Sequence, residues 1–548
     1  MRMTCALLGA TALLALSVGQ AAAEGQVTWN DDDTVSLQMG PEYDNQVITV
    51  SREELGSIFG PDEKPFEGVE ITVTVNSGGP KGGISGPLYS FRPIWEELSG
   101  GKVNIVELPF GEHYTKMMLD LRNGTGQYDA FMAGAFWYGD VAPVGLLFQI
   151  DDLMASGEYP QWSYDAMPPS LKTLHQWEGK SYGVLNDADG QVLYYRKSVL
   201  ENPEHQQAFK AEYGYDLPSP PKTWQQLLDI AKFFNGKNWD DSDPEPDNGA
   251  VLHLKVGEQG HYHFQTLSAS FAMTPGEKLD QYHNVYWFDP TDMKALINMP
   301  GHVKALEYLQ ELHKTGPAAQ VGWSLGEAWD YFLRGKAVFA YSWGDLGALC
   351  QDEARSKVQG DCASAMLPSS NEYYDMEKKE FVKTDNPQPI GNTTGGSWHG
   401  IISNFSANPE ATYSFLSLMA MPPVSKMMAM YGWDGVDPGF SYQFLPEDGG
   451  TASIEDYEKA GWNADDAKAY THAYHQTFFA PVSLPYLRIP GTFEYWDILD
   501  KNLSSTMAGS KTAQQALDDT AAAWEQVTDR IGRDKQLADY RAAIGYQD

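Results

Sequence analysis

The stretch KVNIVELPFGEHYTKMMLDLRNGTGQYDAFMAG, residues 102–134, decides the fold class. KVNIVELPF predicts a strand, EHYTKMMLDLRNG predicts a helix that ends at Gly124, and YDAFMAG predicts the next strand. Another alternating, β-branched strand, VEITVTV at 69–75, precedes them. Strands that alternate with helices in this order form a parallel sheet with helices on its faces. The same alternation continues along the chain, so we expect an α/β fold.

The first residues predict export. Arg2 precedes an apolar run at 5–19 that is too short to span a bilayer, and Ala21, Ala22 and Ala23 supply small residues for cleavage. We therefore expect a signal peptide over 1–23 and a location in the periplasm. Residues 24–68 read as a polar N-terminal extension, to which the sequence assigns no role.

Beyond the leader, the sequence holds two cysteines, Cys350 and Cys362. In an oxidising compartment they are expected to form a disulfide, with two free buried thiols as the alternative. Their number and spacing fit no zinc-binding pattern.

Charge narrows the choice of partners. The chain has 38 basic and 74 acidic residues, a formal net charge of −36, which repels nucleic acid and anionic lipid. It also has 16 Trp, 30 Tyr and 23 Phe. Aromatic faces pack against the C–H faces of sugar rings, so this composition permits a carbohydrate-binding function, although large cores use aromatic residues as well.

The acidic stretch NWDDSDPEPDNG at 238–249 predicts a solvated surface loop. Asp241, Asp243, Glu245 and Asp247 recur at every second residue, as calcium ligands do, but the glycine and final glutamate of an EF-hand are out of register. Calcium in the Asp241–Asp247 loop therefore stays an alternative, and we expect no other cofactor and no other metal.

Two short patterns bear on catalysis. GWSLG at 322–326 matches a nucleophile elbow, but a helix exit and a loop precede it instead of a buried strand. Ser324 has Glu327 three residues later, which predicts a helix N-cap. His261 and His263 have no third metal ligand at a recognisable spacing, so we expect a pair on a strand edge or loop.

Asp187 and Asp189 could be imagined as the acid pair of a glycosidase. That chemistry needs two carboxylates facing each other across a cleft, about 5–9.5 Å apart, which neighbouring positions in a sequence do not establish. The sequence therefore gives no positive sign of catalysis, and we expect a protein that is not an enzyme.

Several segments in order resemble the extracellular solute-binding proteins of ABC sugar importers, the family that contains maltose-binding protein. The resemblance covers about 69–531. Its segments are ELPFGEHYTKMMLDLRNGTGQYDAFMAGAFWYGDVAPVGLLFQIDDLM, GKSYGVLNDADGQVLYYRKSVL, PPKTWQQLL, FLRGKAVFAYSWGD, GGSWHGIISNFSANPEATYSFLSLM and PGTFEYWDILDKNLSSTMAGSKTAQQAL.

The resemblance implies a two-lobed periplasmic-binding-protein fold of type II. Each lobe would be a mainly parallel sheet flanked by helices, and hinge strands would join the lobes. Lobe 1 would comprise 69–186 and 368–430, lobe 2 would comprise 187–367, and a C-terminal helical segment, 431–548, would pack mainly on lobe 2.

The same resemblance implies a function. The protein would be a monomer that captures a carbohydrate (a sugar, oligosaccharide or polyol) between the lobes and delivers it to permease subunits in the inner membrane. The alternatives are a secreted carbohydrate-active hydrolase and the same fold with a peptide, polyamine or metal ligand.

Ligands in open α/β sheets lie beyond the carboxyl ends of the strands, and the candidate site residues follow such strand ends or lie between glycines. Aromatic side chains would stack on sugar rings, and polar side chains would form hydrogen bonds with the hydroxyl groups. The candidate platforms are Trp137, Tyr138, Trp343, Trp398 and Trp433. The candidate acceptors are Asp187, Asp189, Asp345 and Asp434, and the candidate donors are Lys81 and Arg488. Core packing is the alternative for each tryptophan, and turn formation is the alternative for Asp187 and Asp189.

Overall fold

The computed structural model describes residues 26–76, 83–239, 245–432 and 435–546. The predicted signal peptide lies outside them. The strands of the described residues are β1 (Gln26–Trp29), β2 (Thr34–Gln38), β3 (Val47–Ser51), β4 (Glu70–Asn76), β5 (Lys102–Leu108), β6 (Ala130–Gly134), β7 (Gln176–Trp177), β8 (Lys180–Ser181), β9 (Gly183–Asp187), β10 (Val192–Arg196), β11 (Asn248–Val251), β12 (Ala337–Ser342), β13 (Cys362–Ala365), β14 (Glu372–Asp375), β15 (Glu380–Lys383) and β16 (Trp398–Ile402).

The helices of the described residues follow in the same order. They are α1 (Arg52–Leu55), α2 (Gly86–Ser99), α3 (Phe110–Asn123), α4 (Tyr138–Val141), α5 (Asp151–Ala155), α6 (Pro169–Lys172), α7 (Lys197–Glu201), α8 (Pro203–Tyr213), α9 (Trp224–Phe234), α10 (His261–Ala272), α11 (Pro300–His313), α12 (Leu325–Leu333), α13 (Asp345–Cys350), α14 (Pro409–Ala420), α15 (Pro422–Tyr431), α16 (Ile454–Lys459), α17 (Ala464–Phe478), α18 (Thr492–Met507), α19 (Ala513–Ile531) and α20 (Arg533–Ile544).

Two mixed sheets form the centre of the molecule. Sheet A has the order β5-β4-β6-β16-β9, and sheet B has the order β11-β12-β10-β13. In sheet A, β16 is antiparallel to both of its neighbours, while β4 is parallel to β5 and β6. In sheet B, β10 is antiparallel to both neighbours, while β11 is parallel to β12. Each sheet is therefore mixed: one strand is reversed, and the other strands share one direction.

The stretch at 102–134 forms the predicted elements. Strand β5 leads into α3, and Gly124 ends that helix with φ +60°, a conformation that glycine adopts without steric cost. Strand β6 returns to the centre of sheet A with every residue buried. Alternate residues of β4, Ile71, Val73 and Val75, are also buried, which gives one face of the sheet its core.

The chain passes from sheet A to sheet B through residues 188–191, between β9 and β10. This crossing lies where the first lobe boundary was predicted. The second predicted boundary, at which the chain would return to lobe 1 at residue 368, differs from the structure. The hairpin β14–β15 packs on α10 and α11, and Ser369 forms a parallel bridge with Thr223. The segment after 368 therefore begins against lobe 2. The chain re-enters sheet A only at β16.

The N-terminal extension is more ordered than its composition suggests. Strands β1, β2 and β3 form an antiparallel sheet in sequence order, and Val35, Leu37 and Val50 are buried beneath it. The sheet contacts α2 and α15, and the Gln46 side-chain amide donates to the Tyr431 hydroxyl at 3.0 Å. The alternation in TVSLQ and VITVS could have predicted these strands.

C-terminal helices α18 and α19 pack on each other and on α11 of lobe 2. The predicted capping boxes at Thr223, Thr512 and Ser324 are present, so Ser324 begins α12 as an N-cap. Within the described residues, no helix combines the length and apolarity needed to cross a membrane. A disulfide joins Cys350, at the end of α13, to Cys362, at the start of β13.

Two local expectations were wrong. His261 and His263 lie in α10 and are buried, because both sides of this helix pack inside the molecule. Asp247 is fully buried and pairs with Lys336 at 2.9 Å instead of facing solvent. Asp241 and Asp243 of the same predicted loop lie outside the described residues.

Candidate ligand-binding site

An aromatic cavity of about 540 Å³, counted with the part open to solvent, lies between elements of the two sheets. Phe136 follows β6 and Trp398 begins β16, both in sheet A. Tyr262 lies in the first turn of α10, beside sheet B, and Trp496 lies in α18. The other described lining residues are Gly257, Glu258, Gln259, His261, Gly395, Phe493, Asp497 and Asp500.

The aromatic rings of this cavity form one continuous wall. The ring centroids of Tyr262 and Trp496 are 5.4 Å apart, and those of Phe136 and Trp496 are 5.8 Å apart. Phe136 in turn meets Trp398 edge-on, with the centroids 6.1 Å apart. These are the separations at which aromatic rings attract one another. Residues from both lobes and from the C-terminal helices therefore contribute to a single surface.

Local backbone geometry places Trp398 on this wall. Trp398 pairs with Gly134, the last residue of β6, so its side chain lies beside the turn that carries Phe136. The approach to β16 passes through Gly395 and Gly396, with φ +101° and +79°. A Cβ atom on Gly395 would lie 2.5 Å from the Asp189 Cγ atom. Glycine is thus required there both for the positive φ and for the close approach.

Two predicted platforms form a second row behind this wall. Trp137 is fully buried, and its ring packs against Phe136 and Trp398 with centroids 5.2 and 6.0 Å away. Trp343 is also buried: its indole Nε1 donates to the Thr394 carbonyl at 2.6 Å, and its ring meets Tyr262 at 5.5 Å. Both indoles support residues that line the cavity.

Tyr138 and Arg488 lie elsewhere. The Tyr138 ring is buried against His399, with the centroids 5.0 Å apart. The Arg488 guanidinium donates to the carbonyls of Leu174, Gln176 and Ala543 and lies over the Trp177 ring. It lines a different cavity between the Trp177 loop and the end of α20, of about 980 Å³ when the part open to solvent is counted. Burial lowers the pKa of this guanidinium to about 10.

A cluster of carboxylates lies where the chain crosses between the sheets. Asp187, Asp189 and Asp437 are buried, and one oxygen atom from each lies within 4.8 Å of the others. Asp187 accepts a hydrogen bond of 2.8 Å from the Asp437 backbone N–H. Asp437 itself accepts hydrogen bonds from the Gly344 N–H at 2.8 Å and from the Tyr474 hydroxyl at 2.7 Å.

Burial and mutual repulsion make these carboxylates weak acids. Burial, then the charges of Asp189 and Asp437, raise the pKa of Asp187 well above its ordinary value. Burial and the nearby Asp345 raise the pKa of Asp437 to about 8, and burial raises the pKa of Asp345 to about 6. The predicted acceptors Asp187, Asp189 and Asp345 thus lie close enough to influence one another, and Asp189 lies next to Gly395 in the cavity wall.

Strand β9 also carries a β-bulge beside this cluster. Trp398 pairs with Asp187 and His399 pairs with Leu185, so Asn186 is the extra residue. Its side-chain amide is buried and has no hydrogen-bond partner among the described residues. Bulges recur next to functional sites because they redirect side chains. Asn186 therefore offers both a free donor and a free acceptor near the crossing.

Imidazoles in this region carry no charge at neutral pH. Burial lowers the pKa of His261 and His253 to about 3, and it lowers the pKa of His263 well below the ordinary value. His263 Nε2 and His253 Nδ1 lie 2.9 Å apart, a distance that suits one neutral donor and one neutral acceptor.

Asp500 is the buried acid of the cavity wall. Its carboxylate accepts a hydrogen bond of 2.7 Å from the Gly257 N–H, which fixes the segment before α10. Burial raises the pKa of Asp500 to about 6. Asp497 and Glu258, the other acids of the lining, are more exposed and pair with Lys501 and Lys255, respectively.

The structure therefore places the sequence-predicted residues in three groups. Trp398 lines the cavity; Trp137, Trp343, Asp187, Asp189 and Asp345 lie behind it or beside it; and Tyr138 and Arg488 lie elsewhere. Lys81, Trp433 and Asp434 lie outside the described residues. Phe136, Tyr262, Trp496 and Asp500 also line the cavity but are not among the residues predicted from the sequence. Phe136 stands beside Trp137, and Trp496 and Asp500 stand within PGTFEYWDILDKN, so the family-like segments already held the signal.

Comparison with known proteins gives weak but consistent sequence similarity. An erythritol/L-threitol-binding protein of Mycolicibacterium smegmatis is 28% identical over 126 residues, covering 20% of this chain and 26% of that protein. The sn-glycerol-3-phosphate-binding periplasmic protein of Escherichia coli K12 is 25% identical over 346 residues, covering 62% of this chain. The matched region spans 65% of the length of that relative.

Solved structures share the fold. A solute-binding protein of Agrobacterium radiobacter K84 in complex with ribitol superposes with a TM-score of 0.61 at 20% identity, covering 85% of this chain and all (100%) of that one. A solute-binding protein of Agrobacterium vitis S4 with bound D-mannitol superposes equally well, with a TM-score of 0.61 at 21% identity, covering 84% and 99%. Maltose-bound MalE3 of Thermotoga maritima has a TM-score of 0.59 at 19% identity, covering 84% and 100%.

The family model of the bacterial extracellular solute-binding proteins matches residues 94–442, which is more than half of the chain. This match includes every strand of both sheets apart from β4, together with the crossing segments and most of the cavity wall. The chain belongs to the family of bacterial extracellular solute-binding proteins.

Proposed function

We propose that this protein is the periplasmic receptor of an ABC importer and that it captures a carbohydrate or polyol in the aromatic cavity between its two sheets. The observation that carries the proposal is the continuous wall of Phe136, Trp398, Tyr262 and Trp496. Flat rings stack on the C–H patches of a polyhydroxylated ligand, while Asp500 accepts from its hydroxyls.

Ligand capture would also close the lobes. Phe136 and Trp398 belong to sheet A, and Tyr262 belongs to the helix beside sheet B, so a ligand that touches both sets of rings stabilises their approach. Ribitol, D-mannitol and maltose are the ligands named for the three solved structures in the comparison. A ligand of the same chemical class is proposed here.

The test is a thermal-shift screen with glycerol, erythritol, ribitol, D-mannitol, monosaccharides and maltose, followed by calorimetry on each hit. A ligand present at 100 times its dissociation constant adds about 2.7 kcal/mol to the free energy of unfolding. We expect at least one of these compounds to raise the melting temperature and to bind with one-to-one stoichiometry. If none does so up to about 10 mM, ten times a dissociation constant of about 1 mM that corresponds to only about −4.1 kcal/mol, the proposal fails.

We further propose that the protein performs no chemical step, that it is exported to the periplasm as a monomer, and that its partner is the permease of the importer. Incubation with oligosaccharides followed by an assay for new reducing ends tests the first point, since turnover would favour a hydrolase. Mass spectrometry of the exported protein tests cleavage after residue 23, and sedimentation tests the monomer.

A cationic ligand such as a polyamine is the second candidate. The observation that favours it is the buried cluster of Asp187, Asp189 and Asp437 beside the cavity. Putrescine and spermidine therefore belong in the same screen. Binding of a polyamine in preference to every sugar and polyol would transfer the proposal from the aromatic wall to this carboxylate cluster.

A further inference from the structure

Carboxylates are the acidic or basic groups that the described residues contribute to the cavity wall, apart from His261. They are Glu258, Asp497 and Asp500, and no lysine or arginine is among the described lining residues. His261 is neutral because burial lowers its pKa to about 3. A ligand in this cavity therefore meets aromatic faces and carboxylates.

The second layer also consists of carboxyl groups and contains no cationic side chain among the residues named here. Asp189 lies directly behind Gly395, so close that a Cβ atom on this glycine would be 2.5 Å from the Asp189 Cγ atom. Asp187 and Asp437 join Asp189 in the buried cluster described above. Carboxylates that are already desolvated and close together accept a further negative charge poorly.

Nearby cations are engaged elsewhere. Lys501 pairs with Asp497 at 2.6 Å, and Lys255 pairs with Glu258 at 3.3 Å, both with exposed side chains. Arg488 is buried, but its guanidinium donates to backbone carbonyls and lines the separate cavity next to α20. Strong recognition of a phosphate group commonly uses cationic side chains, and none of these described lysine and arginine side chains lines the cavity.

We infer that the cavity selects uncharged polyhydroxylated ligands and rejects their phosphate esters. This inference rests on the proposed function and adds to it a rule of charge selection. Asp500 is central to the rule, since it is the buried acid of the wall and has a fixed hydrogen bond from the Gly257 N–H. One relative in the comparison is named for binding sn-glycerol 3-phosphate, so the rule separates this chain from that relative.

The experiment compares matched pairs by calorimetry at pH 7.5 with the full mature protein. The probes are glycerol and glycerol 3-phosphate, ribitol and ribitol 5-phosphate, and D-mannitol and D-mannitol 1-phosphate. We expect at least one neutral member to bind and its phosphate ester to bind at least 100-fold more weakly. A phosphate ester that binds as tightly as its neutral partner would overturn the inference while leaving carbohydrate capture in place. If neither member of any pair binds, the inference fails, and the wider screen described under the proposed function decides separately whether that function fails as well.

Two variants test the physical cause. Asp500→Asn keeps the size of the side chain and removes its charge. We expect the ratio of the dissociation constant of the phosphate ester to that of the neutral ligand to fall at least tenfold in this variant. Asp456→Asn, on the exposed helix α16 where Asp456 pairs with Lys459, is the control and should leave both affinities unchanged. An unchanged ratio in the Asp500 variant would show that the wall charge does not select the ligand.

Discussion

The carboxylate of Asp187, at the end of β9, accepts a hydrogen bond of 2.8 Å from the backbone N–H of Asp437, a residue 250 positions later in the chain. The two residues belong to separate passages of the chain near the crossing between the sheets. Their contact brings together carboxylates that burial has already made weak acids. The energetics of this contact depend on pH, and its effect on stability can be measured.

The contribution of Asp437 to stability is expected to fall as the pH rises from about 4 to about 8. The pKa of Asp437 is raised from 3.8 to about 8 in the folded protein, so across this window the folded state holds a proton that the unfolded state releases. Folding therefore becomes less favourable as the pH rises through the window, and the loss ends above the folded pKa.

Asp437→Asn removes this titration. Denaturant unfolding at several pH values should show that the free energy of unfolding of the wild type, taken relative to that of the variant, falls between about pH 4 and about pH 8. Asp456→Asn, on the exposed surface, should keep the wild-type slope. Parallel curves for the wild type and the Asp437 variant would contradict the assignment.

Trp496→Ala should abolish ligand binding or weaken it at least tenfold. The indole of Trp496 joins Tyr262 to Phe136, and its removal breaks the aromatic wall at the centre. Calorimetry with a ligand from the screen measures the loss. Phe381→Ala, on the hairpin β14–β15 and 39% exposed, removes an aromatic ring far from the cavity and should bind like the wild type. Equal affinities for the two variants would remove Trp496 from the site.

Trp343→Ala should destabilise the fold by about 3–5 kcal/mol, as large-to-small changes of buried aromatic residues do. The indole is buried, donates to the Thr394 carbonyl and packs on Tyr262. Trp343→Phe keeps much of the packing and should cost less. Chemical denaturation measures both, and a Trp343→Ala variant of wild-type stability would contradict the second-row position of this residue.

Gly395→Ala should be more disruptive than an alanine at another glycine with positive φ. Gly509 has φ +71° and no atom within 4 Å of the position that a Cβ atom would occupy, so it serves as the matched control for backbone strain alone. At Gly395 the added methyl also meets Asp189. The Gly509 variant should lose about 1 kcal/mol, as alanine at an incompatible φ does. The Gly395 variant should lose more and should also bind ligand less tightly. Equal losses would show that the close approach has no cost.

Loss of the disulfide should lower the free energy of unfolding by about 3 kcal/mol, the chain-entropy value for a short loop. Cys350 and Cys362 are 12 residues apart and close the segment between α13 and β13. The double variant Cys350→Ser/Cys362→Ser and the reduced wild type should agree in denaturant unfolding. Ligand affinity should be retained, because this loop lies outside the described lining of the aromatic cavity. If the double variant and the reduced wild type were as stable as the oxidised wild type, the expected loss of about 3 kcal/mol would be contradicted.

Local sequence patterns predicted much of the fold. The stretch at 102–134 predicted β5, α3 and β6 because its hydrophobic periods change from strand to helix and back, and Thr223, Ser324 and Thr512 predicted helix starts by their capping boxes. The extension at 24–68 was missed because its strands are short and separated by turns. His261 and His263 were misplaced because an almost fully buried helix has no amphipathic period to reveal it.

Candidate site residues were predicted less well, for a physical reason. Of the residues chosen at strand ends, Trp398 lines the cavity and Asp189 lies directly behind its wall. The sequence did not show which aromatic side chains line the cavity and which lie behind them. Phe136 and Trp137 are adjacent in the sequence, yet Phe136 lines the cavity and Trp137 packs behind it. Which of two neighbouring rings faces the cavity depends on the tertiary contacts that bury the other ring, and these contacts come from distant parts of the chain.

The sequence by itself determined the alternation of strands and helices, the helix caps and the acidic charge, because each depends on residues close together in the chain. Only the tertiary structure decided that Phe136, Tyr262, Trp398 and Trp496 share one wall and that Arg488 turns away from it. These residues come from four distant parts of the chain. Their meeting results from the packing of two sheets and a C-terminal helix, which local periodicity does not encode.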